Sequence, residues 1–278
     1  MKGPGPATEG HNADVAARWE AIWRRLERAQ SGQHWAKAVV NKILGDAVSR
    51  FCLLFLVHHG IAGRIGCRVL EAGSGSGGVS LALARRGARV ALVDVSAAAV
   101  QYSAARFSRA GLPGSVQQGD VFALPFRDDS FDLVWNAGVI EHFLPAQRSA
   151  ALLEMVRVCK PEGRIVVLVP WRGAPFYRWG KAVGERRGEW NPGYEEPLET
   201  MMDLWPSDRV SVLFERRCGF LLQFYFLKHL LPAQPKAFRY AWRGIVDIAN
   251  WLLWPLNRLP GFILACVVVK RTPGDPVR

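Results

Sequence analysis

One stretch constrains this chain more than any other: Glu71-Ala-Gly73-Ser-Gly75-Ser-Gly77. It directly follows a short β-branched run, Arg68–Ala72, and directly precedes a helical pattern, Val79–Arg86, closed by Gly87. Glycines let a backbone turn tightly and approach a ligand where any Cβ would clash. The helix behind such a turn offers unpaired N–H groups. The same alternation then repeats. Arg89–Val93 ends in Asp94 and leads to a helix over Ala97–Ala110, with Ser96 as its N-cap and Gly111 as its stop. Val116-Gln-Gln precedes Gly119-Asp120. Phe131–Trp135 leads through a loop to a helix from about Pro145 to Val158, and Arg164–Val169 is a fifth strand. Short β-branched runs that alternate with helices predict a parallel sheet covered on both faces.

The flanks read differently. Residues 1–12 are rich in Gly and Pro and are expected to be disordered. Asp14–Gln30 has Val15, Trp19, Ile22, Trp23 and Leu26 at helical spacing, and a second helical region runs from about Trp35 to Val57. Toward the other end, Ser207 is expected to cap a helix at Asp208–Arg217. Phe220–Leu227 and Phe262–Val269 read as two apolar strands, separated by a helical segment at Phe238–Leu253. The expected division is a tail and helical cap over residues 1–63 and one α/β domain over 64–278, with insertions at about 170–206 and 228–260.

Composition narrows the classes. The 278 residues carry a net charge of +12, and residues 209–278 hold 11 basic against 3 acidic side chains, net +8. No dense Lys/Arg block occurs, so a solvated basic surface is preferred over nucleic-acid binding. Five scattered cysteines with no C-x-x-C predict reduced thiols, and no metal-ligand cluster stands out. The first fifteen residues contain no apolar core of a secretory signal, and no stretch reaches the ~18 apolar residues of a membrane span. A soluble, cytoplasmic protein is expected, with peripheral membrane contact as an extension of that expectation.

The glycine turn alone admits two cofactor classes. Gly73-x-Gly75-x-x-Gly78 satisfies the dinucleotide fingerprint, and Asp94 lies 21 residues on, where a ribose-binding acid belongs. Other segments break the tie: Val93-Asp-Val-Ser96, Gly119-Asp-Val-Phe-Ala-Leu-Pro-Phe126, Ser130-Phe-Asp-Leu-Val-Trp-Asn136, Val139-Ile-Glu-His142 and Met155-Val-Arg-Val-Cys-Lys-Pro-Glu-Gly-Arg164. With these, residues 69–170 resemble the class I S-adenosylmethionine-dependent methyltransferases. The resemblance is to the branch that holds the ubiquinone/menaquinone-type and many small-molecule enzymes. It implies a Rossmann-like seven-stranded sheet of order 3-2-1-4-5-7-6 with strand 7 antiparallel, here with an N-terminal helical cap and a helical insertion between the last two strands. Cys218-Gly-Phe220 is similar to the family's lead into its sixth strand.

The resemblance also implies site roles. Glu71, Gly73, Ser74 and Gly75 would meet the methionine part of S-adenosyl-L-methionine. Asp94, at the carboxyl end of its strand and followed by Val95, suits two ribose hydroxyls, because a carboxylate accepts two hydrogen bonds. Asp120 would accept the adenine amino group beside the Val121 N–H, and Asn136 ends the strand that holds the methionine amine. His142 is the candidate general base, since imidazole titrates near ~6.5. No Asn-Pro-Pro-Tyr follows strand 4 and no Pro-Cys occurs, which argues against nucleobase methylation. The expected function is methyl transfer to a small, apolar or aromatic acceptor reached beneath residues 171–206 and 228–260. The alternatives are an NAD(P)-dependent oxidoreductase, which lacks a Tyr-x-x-x-Lys pair here, an RNA methyltransferase, and a non-catalytic module that uses a degenerate methyltransferase fold to bind an anionic partner. The intact glycine turn and Asp94 argue against that degeneracy. The basic, Trp-rich C-terminal segment is expected to touch membrane.

Overall fold

The structure is a computed structural model and describes residues 6–30, 46–61, 65–188, 190, 193–229 and 236–272. Its strands are β1 (Arg68–Ala72), β2 (Arg89–Asp94), β3 (Ser115–Gln118), β4 (Phe131–Ala137), β5 (Cys159–Pro170), β6 (Val210–Cys218) and β7 (Ile263–Lys270). They form one sheet in the order β3-β2-β1-β4-β5-β7-β6. The first five pair in parallel, and β7 runs antiparallel to both β5 and β6. This is the Rossmann-like methyltransferase order.

The helices are α1 (Pro6–Gln30), α2 (Ala47–Phe55), α3 (Gly78–Ala84), α4 (Ala97–Ala110), α5 (Pro145–Val158), α6 (Pro175–Arg186) and α7 (Lys236–Leu252). Successive strand residues point to opposite faces, so the sheet feeds two cores. Leu70, Val93, Val134 and Val268 pack with Leu152 and Met155 of α5 on one face. Val69, Leu92, Leu133 and Val267 pack with Leu83 of α3, Phe107 of α4 and Phe51 of α2 on the other. Burial on both faces is why the central strands read as unbroken apolar runs. Ser96 caps α4 by accepting the Ala99 N–H at 3.1 Å, and Gly111 ends it in the left-handed region at φ 62°.

Four expectations are corrected, and the helix expected over 35–57 is met where the structure describes it. Helix α1 starts at Pro6, inside the segment expected to be disordered; Pro is well placed in a first helical turn, and residues 1–5 lie outside the described residues. Of the helical region expected over residues 35–57, Ala47–Phe55 is α-helix and widens into a π turn at Leu56–Ile61; residues 35–45 lie outside the described residues. The expected helix at 208–217 is the strand β6, and the expected strand at 220–227 is a 3-10 segment, Leu221–His229. Cys218-Gly-Phe220 therefore leaves the sixth strand rather than leading into it. Gly219, at φ 78°, makes that turn away from the sheet.

A bulge explains the misreading of β6. Val212 pairs with Val268 but Phe214 pairs with Val267, so Leu213 is the extra residue. Val210 and Val212 face one core while Phe214 and Cys218 face the other. Period-2 alternation is broken, and Val210, Leu213 and Phe214 are left at helix-like spacing. Because β6 is parallel to β5, the segment from Gly219 to Phe262 leaves and rejoins the sheet at the end where the first five strands have their carboxyl termini. Among the described residues no helix is long and apolar enough to cross a membrane.

Candidate active site

A cavity of about 240 Å³ opens at the carboxyl ends of β1, β2 and β4, the place where open α/β sheets bind ligands. Its floor is the turn after β1. Gly73, Gly75 and Gly77 have φ of 80°, 47° and 60°, a region that favours glycine. A Cβ on Gly73 would stand 2.6 Å from Val139, and one on Gly75 2.7 Å from Trp23. The Gly73 and Ser74 N–H groups donate to Val93 O at 2.8 and 3.0 Å, tying the turn to β2. Arg106 of α4 donates to Ser76 O at 3.0 Å and steadies the outer side.

Asp94 is buried where β2 ends. Its Oδ2 accepts the Gly75 N–H at 2.7 Å and its Oδ1 accepts the Ser96 N–H at 2.9 Å. Burial raises its pKa, against the pull of those two N–H groups. Each oxygen keeps a second lone pair, so both can take a further hydroxyl. Val95, next to it, lines the cavity, as do Asp120 and Val121. Asp120 is fixed as an Asx turn by the Phe122 N–H at 3.0 Å.

Glu71 also lines the cavity, and its Oε2 is buried without a hydrogen-bond partner. Burial pushes its carboxyl up to about 8, although Ser80 and Arg106 pull the other way. Ser74 Oγ is buried and unpartnered as well. A buried carboxyl with an unused oxygen is costly unless a donor or cation meets it. This corner therefore fits an ammonium group, the glycine cradle fits a chain passing close to backbone, and Asp94 fits a diol.

His142 stands at the other side, in a 3-10 turn after β4. Its Nδ1 lies 2.8 Å from Tyr194 O. A carbonyl only accepts, so Nδ1 carries the proton and Nε2 is the basic nitrogen. Burial lowers the imidazole pKa below its usual value. Glu141 is buried behind it, held protonated by desolvation with a pKa of about 8, and is not among the lining residues. Asn136 is not among them either: its amide donates to Met155 Sδ at 3.3 Å, so what it offers the cavity is its strand's backbone, continued in Ala137 and Gly138.

The roof comes from the N-terminal helical cap, whose cavity-lining residues the sequence did not single out. Asn12, Val15, Ala16, Trp19 and Trp23 of α1 line the cavity, and Trp19 meets the His142 ring edge-on at 5.3 Å. Their i, i+3/i+4 spacing showed a helix face that must be covered, but periodicity does not name the covering surface. Among the described residues no lining residue comes from 171–206 or 228–260, the segments expected to cover the acceptor; Tyr194, in the first of these, holds His142 through its carbonyl.

Strand order, glycine turn and the place of the cavity are together those of the Rossmann-like methyltransferase fold. Residues 70–167 match the family described as a methyltransferase domain. A demethylmenaquinone methyltransferase of Thermobifida fusca is 31% identical over 212 residues, which span 70% of this chain and 80% of that protein. The chain belongs to the class I S-adenosylmethionine-dependent methyltransferases. An uncharacterized protein of Mycobacterium tuberculosis is 42% identical over 113 residues, and the match spans only 40% of that relative's length and 40% of this chain. The solved geranyl diphosphate C-methyltransferase of Streptomyces coelicolor, in complex with Mg2+, geranyl diphosphate and S-adenosyl-L-homocysteine, has a TM-score of 0.56 at 17% identity, covering 80% of this chain and 79% of that one. At that identity the likeness is one of fold.

Proposed function

We propose that this chain transfers the methyl group of S-adenosyl-L-methionine to a small apolar or aromatic acceptor. The observation that carries the reading is the unpartnered, buried Glu71 Oε2 beside the glycine turn, across from Asp94 in one cavity. Glu71 would hold the methionine amine, Gly73, Ser74 and Gly75 would let the methionine part lie against backbone, and Asp94 would take the ribose hydroxyls. Val95 would border the ribose, Asp120 and the Val121 N–H would meet the adenine, and the backbone after Asn136 would complete the amine pocket. When bound, the cofactor supplies a methyl on a cationic sulfur that is already a good electrophile. Positioning then accounts for much of the acceleration, and His142 Nε2 would accept the acceptor's proton where one must leave.

The acceptor's character is read from the walls. Val15, Trp19, Val139 and Phe143 give this side apolar and aromatic surface. Demethylmenaquinone, named by the Thermobifida relative, is an acceptor of that kind. The reading includes peripheral membrane contact through the basic, Trp-rich segment near the C terminus.

Calorimetric titration with S-adenosyl-L-homocysteine, NAD and NADP tests the cofactor. S-adenosyl-L-homocysteine should bind at micromolar affinity or better and NAD should not. Asp94→Ala should weaken binding by about 1.5–3 kcal/mol, the scale of hydrogen bonds to charged groups. Full affinity in a folded Asp94→Ala protein would remove Asp94 from the site. Methyl transfer to a panel of quinones and prenylated rings then tests the acceptor class.

A further inference from the structure

Helix α7 leaves a second apolar face uncovered. Its inward side carries Val246, the half-buried Trp242, whose indole N–H donates to Phe224 O at 3.0 Å, and two polar residues, Asp247 and Asn250. The Asp247 side chain is 10% exposed and lies 3.7 Å from Arg243 Nε. It accepts the Ala47 N–H at 3.0 Å and the Tyr225 hydroxyl. Asn250, 1% exposed, donates to Val246 O at 2.9 Å and accepts from Asn257 at 2.8 Å. Asn257 Oδ1 in turn accepts the Leu221 N–H at 3.0 Å. Polar groups thus fasten the helix to the domain.

The outward side is apolar. Ala241, Ile245, Ile248 and Leu252 follow one stripe at helical spacing, flanked by Tyr240 and Trp251. Ile245 is 57% and Leu252 62% exposed, and Leu253, Leu256 and Leu259 extend the surface past the helix. Arg243 is the one charged residue among the exposed positions from 240 to 252. A surface helix normally turns such a stripe inward, and contiguous exposed apolar surface marks a partner or membrane site.

Charge selects between occupants. The Arg50 guanidinium of α2 lies 5.9 Å from the Trp251 ring and 6.0 Å from the Trp254 ring. Arg243 and Arg258 are exposed beside the apolar surface, and the sequence of the same helix adds Lys236 and Arg239. A second copy of the chain would bring a net +8 segment against a net +8 segment. Indoles and a tyrosine at the edge of an apolar face, with cations around them, suit the headgroup boundary of an anionic bilayer.

We infer that the outward face of α7 and the leucines after it dock on an anionic lipid surface. This specifies the membrane contact in the proposed function and stands independently of the methyl-transfer chemistry. The docking segment leaves and rejoins the sheet at the end where the cavity opens.

Co-sedimentation of the full chain with phosphatidylcholine vesicles containing phosphatidylglycerol, and with phosphatidylcholine alone, tests the inference at low and high salt. The protein should pellet with the anionic vesicles at low salt. The triple variant Ile245→Glu, Ile248→Glu, Leu252→Glu should lose about ten-fold or more of that binding. Its S-adenosyl-L-homocysteine affinity and circular dichroism should match wild type. These positions face solvent, so a folding failure is not expected; the single variant Ile248→Glu, with a smaller loss, guards against one. No pelleting of wild type with anionic vesicles, or equal pelleting of the triple variant, overturns the inference. A dimer seen by light scattering that the triple variant dissolves overturns it in favour of a second copy. Loss of S-adenosyl-L-homocysteine binding by wild type would sink the proposed function and leave the vesicle result standing.

Discussion

The Glu20 carboxylate of α1 accepts the Ser96 hydroxyl at 2.6 Å, at the first turn of α4. The same oxygen accepts the Ala98 N–H at 3.1 Å. A helix start offers unpaired N–H groups and a positive dipole end, both of which favour a carboxylate. The N-terminal helix is thereby pinned to the strand-2 side of the cavity. At its other end, Asn12 accepts from Gln147 at 2.9 Å, and His11 Nε2 lies 3.0 Å from His142 O. The cavity beneath α1 lies behind these contacts.

Glu20→Gln should therefore loosen the roof. Ser96 and then Arg24 hold the Glu20 carboxyl down to about 2, below its ordinary 4.5. A depressed carboxyl contributes stability above the unfolded pKa and loses it as pH falls through the folded one. The pin's contribution is thus fully present above about pH 5 and is lost progressively as pH falls from 4.5 through about 2. At pH 7 the variant should speed hydrogen exchange in residues 6–30 and S-adenosyl-L-homocysteine dissociation by roughly ten-fold, a figure reduced for partial exposure. Unchanged exchange and dissociation would show that the apolar contacts of α1 hold it alone.

Glu71 gives a proton-linkage prediction. Its folded pKa of about 8 lies above the ordinary 4.5. The ligand-free folded state therefore holds this proton more tightly than the unfolded chain, and this group's contribution to stability falls as pH rises from 4.5 through 8. Pairing with an ammonium requires the carboxylate, so binding at pH 7 should release close to one proton. Titrations in two buffers of different ionisation enthalpy measure that release. Affinity should rise about ten-fold per pH unit between pH 6 and 7.5. Glu71→Gln should abolish both effects; proton release that survives it would assign the linkage elsewhere.

The extent to which these features were readable depends on how local their causes are. The β1 turn was legible because its conformation is set within a few residues: three glycines at positive φ leave little choice of backbone. Asp94 was legible because it ends a run of β-branched residues, whereas Asp120 follows Ser115-Val-Gln-Gln118-Gly119, which is no such run, and was reached only through the resemblance carried by Gly119–Phe126. Asn136 was placed correctly in its strand, yet the alternation of the strand that fixes its direction toward Met155 says nothing about which face a ligand uses. Strand β6 was hidden by the extra residue at Leu213, a pairing event that depends on β7, about fifty residues away in sequence. The outward apolar face of α7 was hidden for a similar reason. Trp242, Ile245, Ala249 and Leu252 share helical spacing, but Trp242 and Ala249 turn partly inward while Ile245 and Leu252 are exposed, and the buried partners that set this orientation, those of Asp247 and Asn250, come from α2, the 3-10 segment and Asn257. The roof is the extreme case: Trp19 and Trp23 meet residues more than fifty positions later in sequence, His142 and Gly75.

His142 gives the last prediction, which separates chemistry from packing. Its Nδ1–H donates to the Tyr194 carbonyl, leaving Nε2 with the lone pair, and burial keeps the imidazole pKa below 6.5. The ring is neutral at pH 7 and competent as a base. If Nε2 takes the acceptor's proton, turnover should show an acidic limb, falling as pH drops below 6.5 through the lowered pKa. The unfolded chain binds this proton more readily than the folded one, so stability also falls over the same window; thermal unfolding at each pH distinguishes the two effects. His142→Ala should leave S-adenosyl-L-homocysteine affinity near wild type, lower turnover by ~10²-fold or more and remove the limb. A variant with turnover within a few-fold of wild type, and with the limb retained, would assign the imidazole to holding Trp19 and the Tyr194 loop in place.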